Sequence, residues 1–468
     1  MGRVRIYLAI LAIIFITAEV DAQFGPQQVI STSTESPHFA LLFDIDNDGL
    51  TDILTASTID GKLRWYPKLD QNGNFDTQVI INVTPNNYLT IEHIDLDSDG
   101  DKDLLFLINN PRRIAWLENT DGAGNFSAEQ AIIPTQPDYI ASMVLLDFDN
   151  DGDDDIIASM TDTFTDRIVW FEHIDGQGHF GGENVLINNL TYVGPIVVMD
   201  IDNDGLSDIL TSHENTGPAR LIWYKNLGNS TLGPEQEIYQ FPFFSSDLTS
   251  IHHMVTADIN TDAQLDIVIT SHNDDTGTYV YWIENLDNQG SFGSLQLIPN
   301  MNGAYNFYDL DNDGSLDILL WNPSIDQIFW KKNLNGEGTF STGHLITNEA
   351  EFPGSAHAFD LDDDGYLDIV SASLADDKIA WYKNSGIFGV EDRVRGLFTI
   401  YPNPTADQLI ISGDPGIQSV EIIDPVGKSV LRFENTAKLD ISMLPQGIYF
   451  IRIVTVDGLY DLQKIIKK

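Results

Sequence analysis

Seven stretches of this chain set aspartates at a spacing suited to coordination chemistry. Each follows D-x-D-x-D-G-x-x-D, and they begin at Asp44, Asp95, Asp147, Asp200, Asp258, Asp309 and Asp360. The aligned positions are Asp44, Asp46, Asp48 and Asp52 in the first and Asp95, Asp97, Asp99 and Asp103 in the second. The third has Asp147, Asp149, Asp151 and Asp155, and the fourth Asp200, Asp202, Asp204 and Asp208. Asp258, Asn260, Asp262 and Asp266 form the fifth, Asp309, Asp311, Asp313 and Asp317 the sixth, and Asp360, Asp362, Asp364 and Asp368 the seventh. Side chains at loop positions 1, 3 and 5 turn inward, position 7 offers a carbonyl, position 9 a last carboxylate, and glycine at position 6 allows the sharp turn. Like charges so close repel unless a cation neutralises them. The expected ion is calcium, up to seven of them. Asn260 and Ala263 break the pattern in the fifth stretch, whose site should be weaker or empty.

These loops match the front half of an EF-hand calcium loop, but no glutamate stands at position 12. Each runs instead into an apolar, strand-like stretch such as ILTAS or IVSAS. The elements that must hold them are therefore strands. The loops recur every 51 to 58 residues, and a tryptophan follows each: Trp65, Trp116, Trp170, Trp223, Trp282, Trp330 and Trp381. Their contexts alternate as strands do, for example RWYPKL and IWYKNL. A third marker, a turn plus a short strand (NGNFDTQVI, AGNFSAEQAI, QGHFGGENVL), follows six of the seven tryptophans. Four strand signals per unit of about fifty residues indicate a propeller blade. The missing seventh copy of the third marker stands at the start, QFGPQQVI. This predicts that the first strand completes the last blade as its outer strand, removing free edges. An eight-bladed or open array is the alternative.

Bulk properties narrow the function. The 468 residues carry 24 Lys+Arg against 71 Asp+Glu, a formal net charge of −47. Such a surface disfavours nucleic acid and anionic lipid. With no cysteine there can be no disulfide, zinc-thiolate site or cysteine nucleophile. Residues 1–22 read as a signal peptide: Arg3 and Arg5, an apolar Ile6 to Thr17, then Val20-Asp21-Ala22. No other stretch is apolar enough to cross a membrane as a helix, so the mature chain should be exported and, as we read it, monomeric.

The units resemble FG-GAP or VCBS repeats, the blades of integrin-alpha-like propellers, over about residues 24–385. That resemblance implies a calcium loop between the first and second strands of each blade. Residues 386–396 read as a linker. Residues 397–468 alternate apolar runs with Pro, Gly and Asp turns, as a small β-sandwich would. Their YPNP, DPVGK, LPQGIYFIRI and terminal KIIKK resemble the type A C-terminal sorting domain of the type IX (Por) secretion system. The resemblance implies export across a Gram-negative outer membrane by that machinery, to the cell surface or beyond. The expected fold is all-β: a seven-bladed calcium-loop β-propeller over residues 23–385, then a small immunoglobulin-like sandwich.

The rim opposite the calcium loops varies in sequence and gathers aromatics and histidines, which suits a binding face. Tyr192, His213, Arg220, His252, His253 and His272 are its candidates, together with Phe243 and Phe244 in the loop 240–253 and Trp321, placed in a loop outside the tryptophan register. Three residues before each tryptophan stand Lys62, Arg113, Arg167, Arg220, Tyr279, Gln327 and Lys378. They form either a cationic collar for an acidic glycan or ordinary partners of nearby carboxylates. The sequence favours a binding or adhesion module for an extracellular glycan or protein, with no catalytic residues assigned. The alternative is a polysaccharide lyase, in which His252, His253, Tyr192 and Arg220 would neutralise a uronate and abstract a proton.

Overall fold

The computed structural model describes residues 23–468 apart from 58, 82–86, 135–137, 163–165, 214–218, 242–250, 274–276, 387–397, 414–415, 425–427 and 456–459. The expected signal peptide, all but the first residue of the expected linker, and Phe243 and Phe244 lie outside the described residues. The chain divides into two compact units. One spans Pro26–Asn384, and the other holds Ser385–Lys468 with the described residues 23–25.

Among its described residues the larger unit holds seven four-stranded antiparallel sheets. In the first, the strands are Pro37–Phe43, Asp52–Ser57, Leu63–Tyr66 and Val79–Ile81, paired in chain order. The next five repeat that plan. Burial follows position in the sheet. All six residues of Asp52–Ser57 are buried, because a second strand has sheets packed on both its faces, whereas Val79 and Ile80 of the outer strand are exposed. The first strands of the second to fifth sheets, with Glu92, Val144, Val197 and Val255 among them, line a shared cavity of about 450 Å³. Those strands therefore stand innermost around a common axis.

Apolar contacts run from sheet to sheet around a ring. Trp65 and Ile81 of the first sheet share a cluster with Ile91 and Phe106 of the second. Comparable clusters join second to third, third to fourth, fourth to fifth and fifth to sixth. Between sixth and seventh, Trp321 Nε1 donates to the Gly354 carbonyl at 3.1 Å. Ala40, Ile53 and Tyr66 of the first sheet then pack with Leu361, Val370 and Trp381 of the seventh. The seventh sheet holds Pro353–Phe359, Asp368–Ser373 and Lys378–Tyr382, and its outer strand is Gln28–Ser31. Gln28 pairs with Trp381 and Val29 with Ala380. The first strand thus closes the ring, as the displaced third marker predicts.

The seven register tryptophans are buried. Five meet a glycine from the third-marker turn of the following sheet: Gly73 on Trp381, Gly124 on Trp65, Gly178 on Trp116, Gly290 on Trp223 and Gly338 on Trp282. At these turns φ is positive, and a Cβ would come within 2.0 to 3.0 Å of the ring. Glycine is required there on both counts. Trp321 needs a correction: it lies in the buried strand Asp317–Asn322, not in a loop, and is only 7% exposed. The preceding Leu319 and Leu320, both fully buried, continue the apolar alternation straight into it.

The smaller unit places Phe398–Tyr401, Gln408–Gly413 and Lys438–Asp440 in one sheet. A second sheet holds Ser429–Glu434, Ile417–Ile423, Gly447–Thr455 and Tyr460–Lys467. Ile400, Leu409 and Ile411 of one share a core with Val420, Ile422 and Ile451 of the other, so the sheets pack face to face.

Candidate metal centres and the opposite rim

Each acidic loop turns from a first strand into a second. In the first, Asp44 braces the turn: its Oδ1 accepts from Asp48 N at 3.2 Å and its Oδ2 from Gly49 N at 2.8 Å. Leu50 N donates to Asp48 Oδ1 at 2.8 Å. Position 6 is left-handed throughout, with Gly49 at φ +87° and Ala263 at +66°. No atom approaches a Cβ built on Gly49, so the glycine there answers conformation alone.

Position 9 has a task the sequence does not reveal. Asp52 opens the buried second strand; its Oδ2 accepts from Ile45 N at 3.1 Å and its Oδ1 from Lys68 N at 2.7 Å. The other six loops repeat both bonds, as in Asp317 with Leu310 N and Asn333 N. These carboxylates tie loop, second strand and third strand together. Burial pushes Asp52, Asp155, Asp208 and Asp266 up to about 6, Asp103 and Asp368 to about 7, and Asp317 to about 8. At position 3, burial and then neighbouring carboxylates raise Asp46, Asp97 and Asp149.

The loops offer cation sites of two compositions. In the first three, ligand oxygens of positions 1, 3 and 5 (Asp44, Asp46 and Asp48, and their equivalents) lie within 4.8 Å of one another. In the fourth and sixth the set is positions 1, 3 and 9: Asp200, Asp202 and Asp208, and Asp309, Asp311 and Asp317. Buried oxygens of Asp46, Asp95, Asp149, Asp202, Asp311 and Asp362 have no hydrogen-bond partner. An all-oxygen, anionic set with such orphaned acceptors fits a hard divalent cation. The loops also touch along the rim: Asn47 Nδ2 donates to Asp101 Oδ1 at 2.6 Å, and Asn312 Nδ2 to the Gly365 carbonyl at 2.8 Å.

A set of asparagines escapes motif reading. Asn119 Nδ2 donates to the Ile45 carbonyl in the preceding sheet's acidic loop at 2.9 Å. Asn333 reaches Ile259 and Asn384 reaches Leu310 in the same way, both at 2.9 Å. Each stands three residues after its tryptophan, the N of ENT, KNL and KNS. The recurrence was there to find, but nothing in it says that the amide crosses to another sheet.

Second-strand ends, third-strand starts and inter-sheet links converge on the opposite rim. A cleft of about 470 Å³ opens there, with Tyr139, Asp162, Asp166, Tyr192, Ser212 and His252 in its lining. Tyr192 is 73% exposed at φ +52°, and His252 is exposed. The remaining candidates lie elsewhere. His213 is fully buried, its Nε2 3.1 Å from Glu235 Oε2 and 3.2 Å from Arg220 Nη2. Arg220 Nη1 pairs with Glu235 Oε1 at 2.8 Å. His253 meets the Tyr305 ring edge-on at 5.7 Å. His272 lies in the strand Asp266–Asn273, opposite Thr278. Of this group, the structure brings Tyr192 and His252 to one cleft.

The five cations that either line a collar or meet nearby carboxylates are all paired. Lys62 meets Asp60 at 3.1 Å, Arg113 Glu129 at 2.8 Å, Arg167 both Asp138 and Glu183 at 2.9 Å, and Lys378 Asp376 at 2.7 Å, with Arg220 on Glu235 as above. The ordinary-partner reading describes them.

Comparison with known proteins accords with this architecture. The FG-GAP-like repeat family matches residues 44–106, 95–158, 200–269 and 309–371, together more than half the chain. The secretion system C-terminal sorting domain family matches residues 399–468. The chain belongs to the FG-GAP-like repeat β-propeller proteins and ends in a type IX sorting domain, which directs it to the cell surface or the extracellular space. Among curated proteins it is similar to a T-cell immunomodulatory protein homolog of Plasmodium falciparum (isolate 3D7), 24% identical over 83% of this chain and 57% of the relative. The chain thus spans little more than half of that relative's length. Similar solved structures include BBS1N in complex with ARL6DN, at 10% identity and TM-score 0.49 over 79% of this chain and 99% of that one. The Dos1 propeller is similar at 13% identity and TM-score 0.39, over 74% and 78%. No helix among the described residues is long and apolar enough to cross a membrane.

Proposed function

We propose that the chain is an exported, calcium-stiffened propeller of seven blades that binds an extracellular ligand on the rim away from its acidic loops. Calcium is favoured because every ligand is oxygen, buried carboxylate oxygens lack partners, and burial disfavours their charge unless a cation compensates it. Asp44, Asp46 and Asp48 and their counterparts would hold the ions in the first three loops, and positions 1, 3 and 9 in the fourth and sixth, where the carboxylate that braces the loop also joins the set. The ions would supply rigidity, and the turns they fix would hold the sheets that carry the recognition rim.

The observation that carries the binding reading is the cleft beside Tyr192. Its lining combines tyrosine faces, hydroxyls, two carboxylates and a histidine, with no lysine or arginine among the described residues. Aromatic faces stack on sugar rings, and carboxylates accept from sugar hydroxyls. A neutral glycan suits the cleft better than a uronate, which Asp162 and Asp166 would repel. That also argues against the lyase alternative, which needs a cation to neutralise the uronate and has Arg220 engaged by Glu235. The test is a glycan array probed with the full exported chain, repeated with Tyr192→Ala and His252→Ala. Binding weakened by about tenfold or more in both supports the assignment. Binding indifferent to both substitutions, or new absorbance near 235 nm on uronate polymers, overturns it.

A further inference from the structure

The residue two positions after each register tryptophan divides the acidic loops electrostatically. It is lysine at Lys225, Lys332 and Lys383, glutamate at Glu118, Glu172 and Glu284, and Pro67 in the first sheet. Each lysine ammonium sits between the position-3 and position-5 carboxylates of its own sheet's loop. Lys225 Nζ contacts Asp202 and lies 2.8 Å from Asp204 Oδ2. Lys332 Nζ contacts Asp311 and lies 2.9 Å from Asp313, while Lys383 contacts Asp362 and lies 3.0 Å from Asp364. The position-3 carboxylates are the more sheltered of each pair, with Asp311 5% exposed and the Asp362 side chain 9%. A cation is thus already seated where an ion would draw on positions 3 and 5. Without a lysine, in the first three loops, positions 1, 3 and 5 converge; with one, in the fourth and sixth, position 9 replaces position 5 in the converging set. In the fifth loop the glutamate closes on the gap in the pattern, since Asn260 Nδ2 donates to Glu284 Oε1 at 3.1 Å.

We propose that these strand-three residues grade the loops: Lys225, Lys332 and Lys383 act as resident counter-ions that weaken divalent binding in the fourth, sixth and seventh loops, whereas Glu118, Glu172 and Glu284 strengthen it in the second, third and fifth. The inference rests on the metal reading above and deepens it. Two consequences follow from charge alone. A divalent ion entering a lysine loop must displace or approach an ammonium, and the same ion entering a glutamate loop meets one more anion. The fifth loop, short of one aspartate, recovers a carboxylate from Glu284.

The full chain, stripped with EDTA and titrated with calcium by calorimetry, should fill its sites in two affinity classes. Replacing Lys225, Lys332 and Lys383 with Gln should tighten the weak class by about tenfold or more. Lys332→Arg, which keeps the charge, should not. Lys332→Gln alone reads the same effect at one site should the triple variant fold poorly. Glu118→Gln with Glu172→Gln should weaken the tight class. Calcium binding in a single class indifferent to these substitutions overturns the grading while leaving the metal reading intact. No calcium binding by any form overturns both.

Discussion

Replacing Gly73 with alanine tests the joint at which the ring closes. Gly73 belongs to the first sheet and Trp381 to the seventh, and a Cβ on Gly73 would fall 2.0 Å from Trp381 Cζ3, 2.5 Å from Cη2 and 2.7 Å from Cε3. Ordinary van der Waals contact begins near 3.4 Å. The indole must therefore move by more than an ångström, and it is buried against Ala40, Ile53 and Tyr66. Overpacking of this kind costs about 1–3 kcal/mol. Holding alanine at φ +77° adds about 1–2 kcal/mol. A stiffer unfolded chain returns about 0.4–1 kcal/mol. The net expectation is a loss of about 2–4 kcal/mol. Gly49→Ala is the control: φ is +87°, but nothing lies within 4 Å, so it bears the conformational cost alone. Ala263, already at the matching position of the fifth loop, shows that this cost is tolerable. Denaturant unfolding of both variants in calcium, followed by tryptophan fluorescence, gives the comparison. Equal losses in the two would refute the claim that the glycine–indole contact fixes the closure.

Three further outcomes are expected. Asn333→Ala leaves the Ile259 carbonyl without its partner at a buried sheet junction, and should cost about 1–3 kcal/mol in denaturant unfolding, more than exposed Asn335→Ala, whose turn hydrogen bonds water can replace. Asp60 is held well below the usual carboxylate range, first by the Arg64 guanidinium, whose Nη1 donates to it at 3.1 Å. A depressed folded pKa contributes stability that is fully present above the unfolded value near 4 and fades as pH falls through the folded value. The stability gap between wild type and Asp60→Asn should accordingly be flat at neutral pH and narrow below about pH 4. EDTA should lower the melting temperature, since each site held at a hundredfold excess over its Kd contributes about 2.7 kcal/mol. A melting curve unmoved by the chelator would detach the loops from stability.

Much of this architecture was legible because it is repeated. The aspartate spacing, the tryptophan register and the stray third marker at Phe24 located the loops, the strands and the closure. Each reports a backbone constraint that recurs in sheet after sheet. What stayed hidden depends on which way a side chain faces across a junction. The ENT and KNL asparagines look like turn residues until the neighbouring sheet supplies the Ile45 or Ile259 carbonyl. Trp321 looked exposed because Asn322 and Pro323 follow it, yet strand pairing with Ala304 carries it inside. His213 and Arg220 could not be separated from the recognition rim, because Glu235, which engages both, lies on the next strand over.

The pairing of Gln28 with Trp381 also governs how such a molecule can come into being. Roughly three hundred and fifty residues separate Gln28 from Trp381, and until the far strand emerges Gln28 and Val29 have no strand to pair with. Closure of the ring must therefore come late, and slowly by the standard of local pairings. A truncated product lacking Lys378–Tyr382 would leave Gln28–Ser31 without its strand partner, an unpaired edge of the kind that favours misassembly.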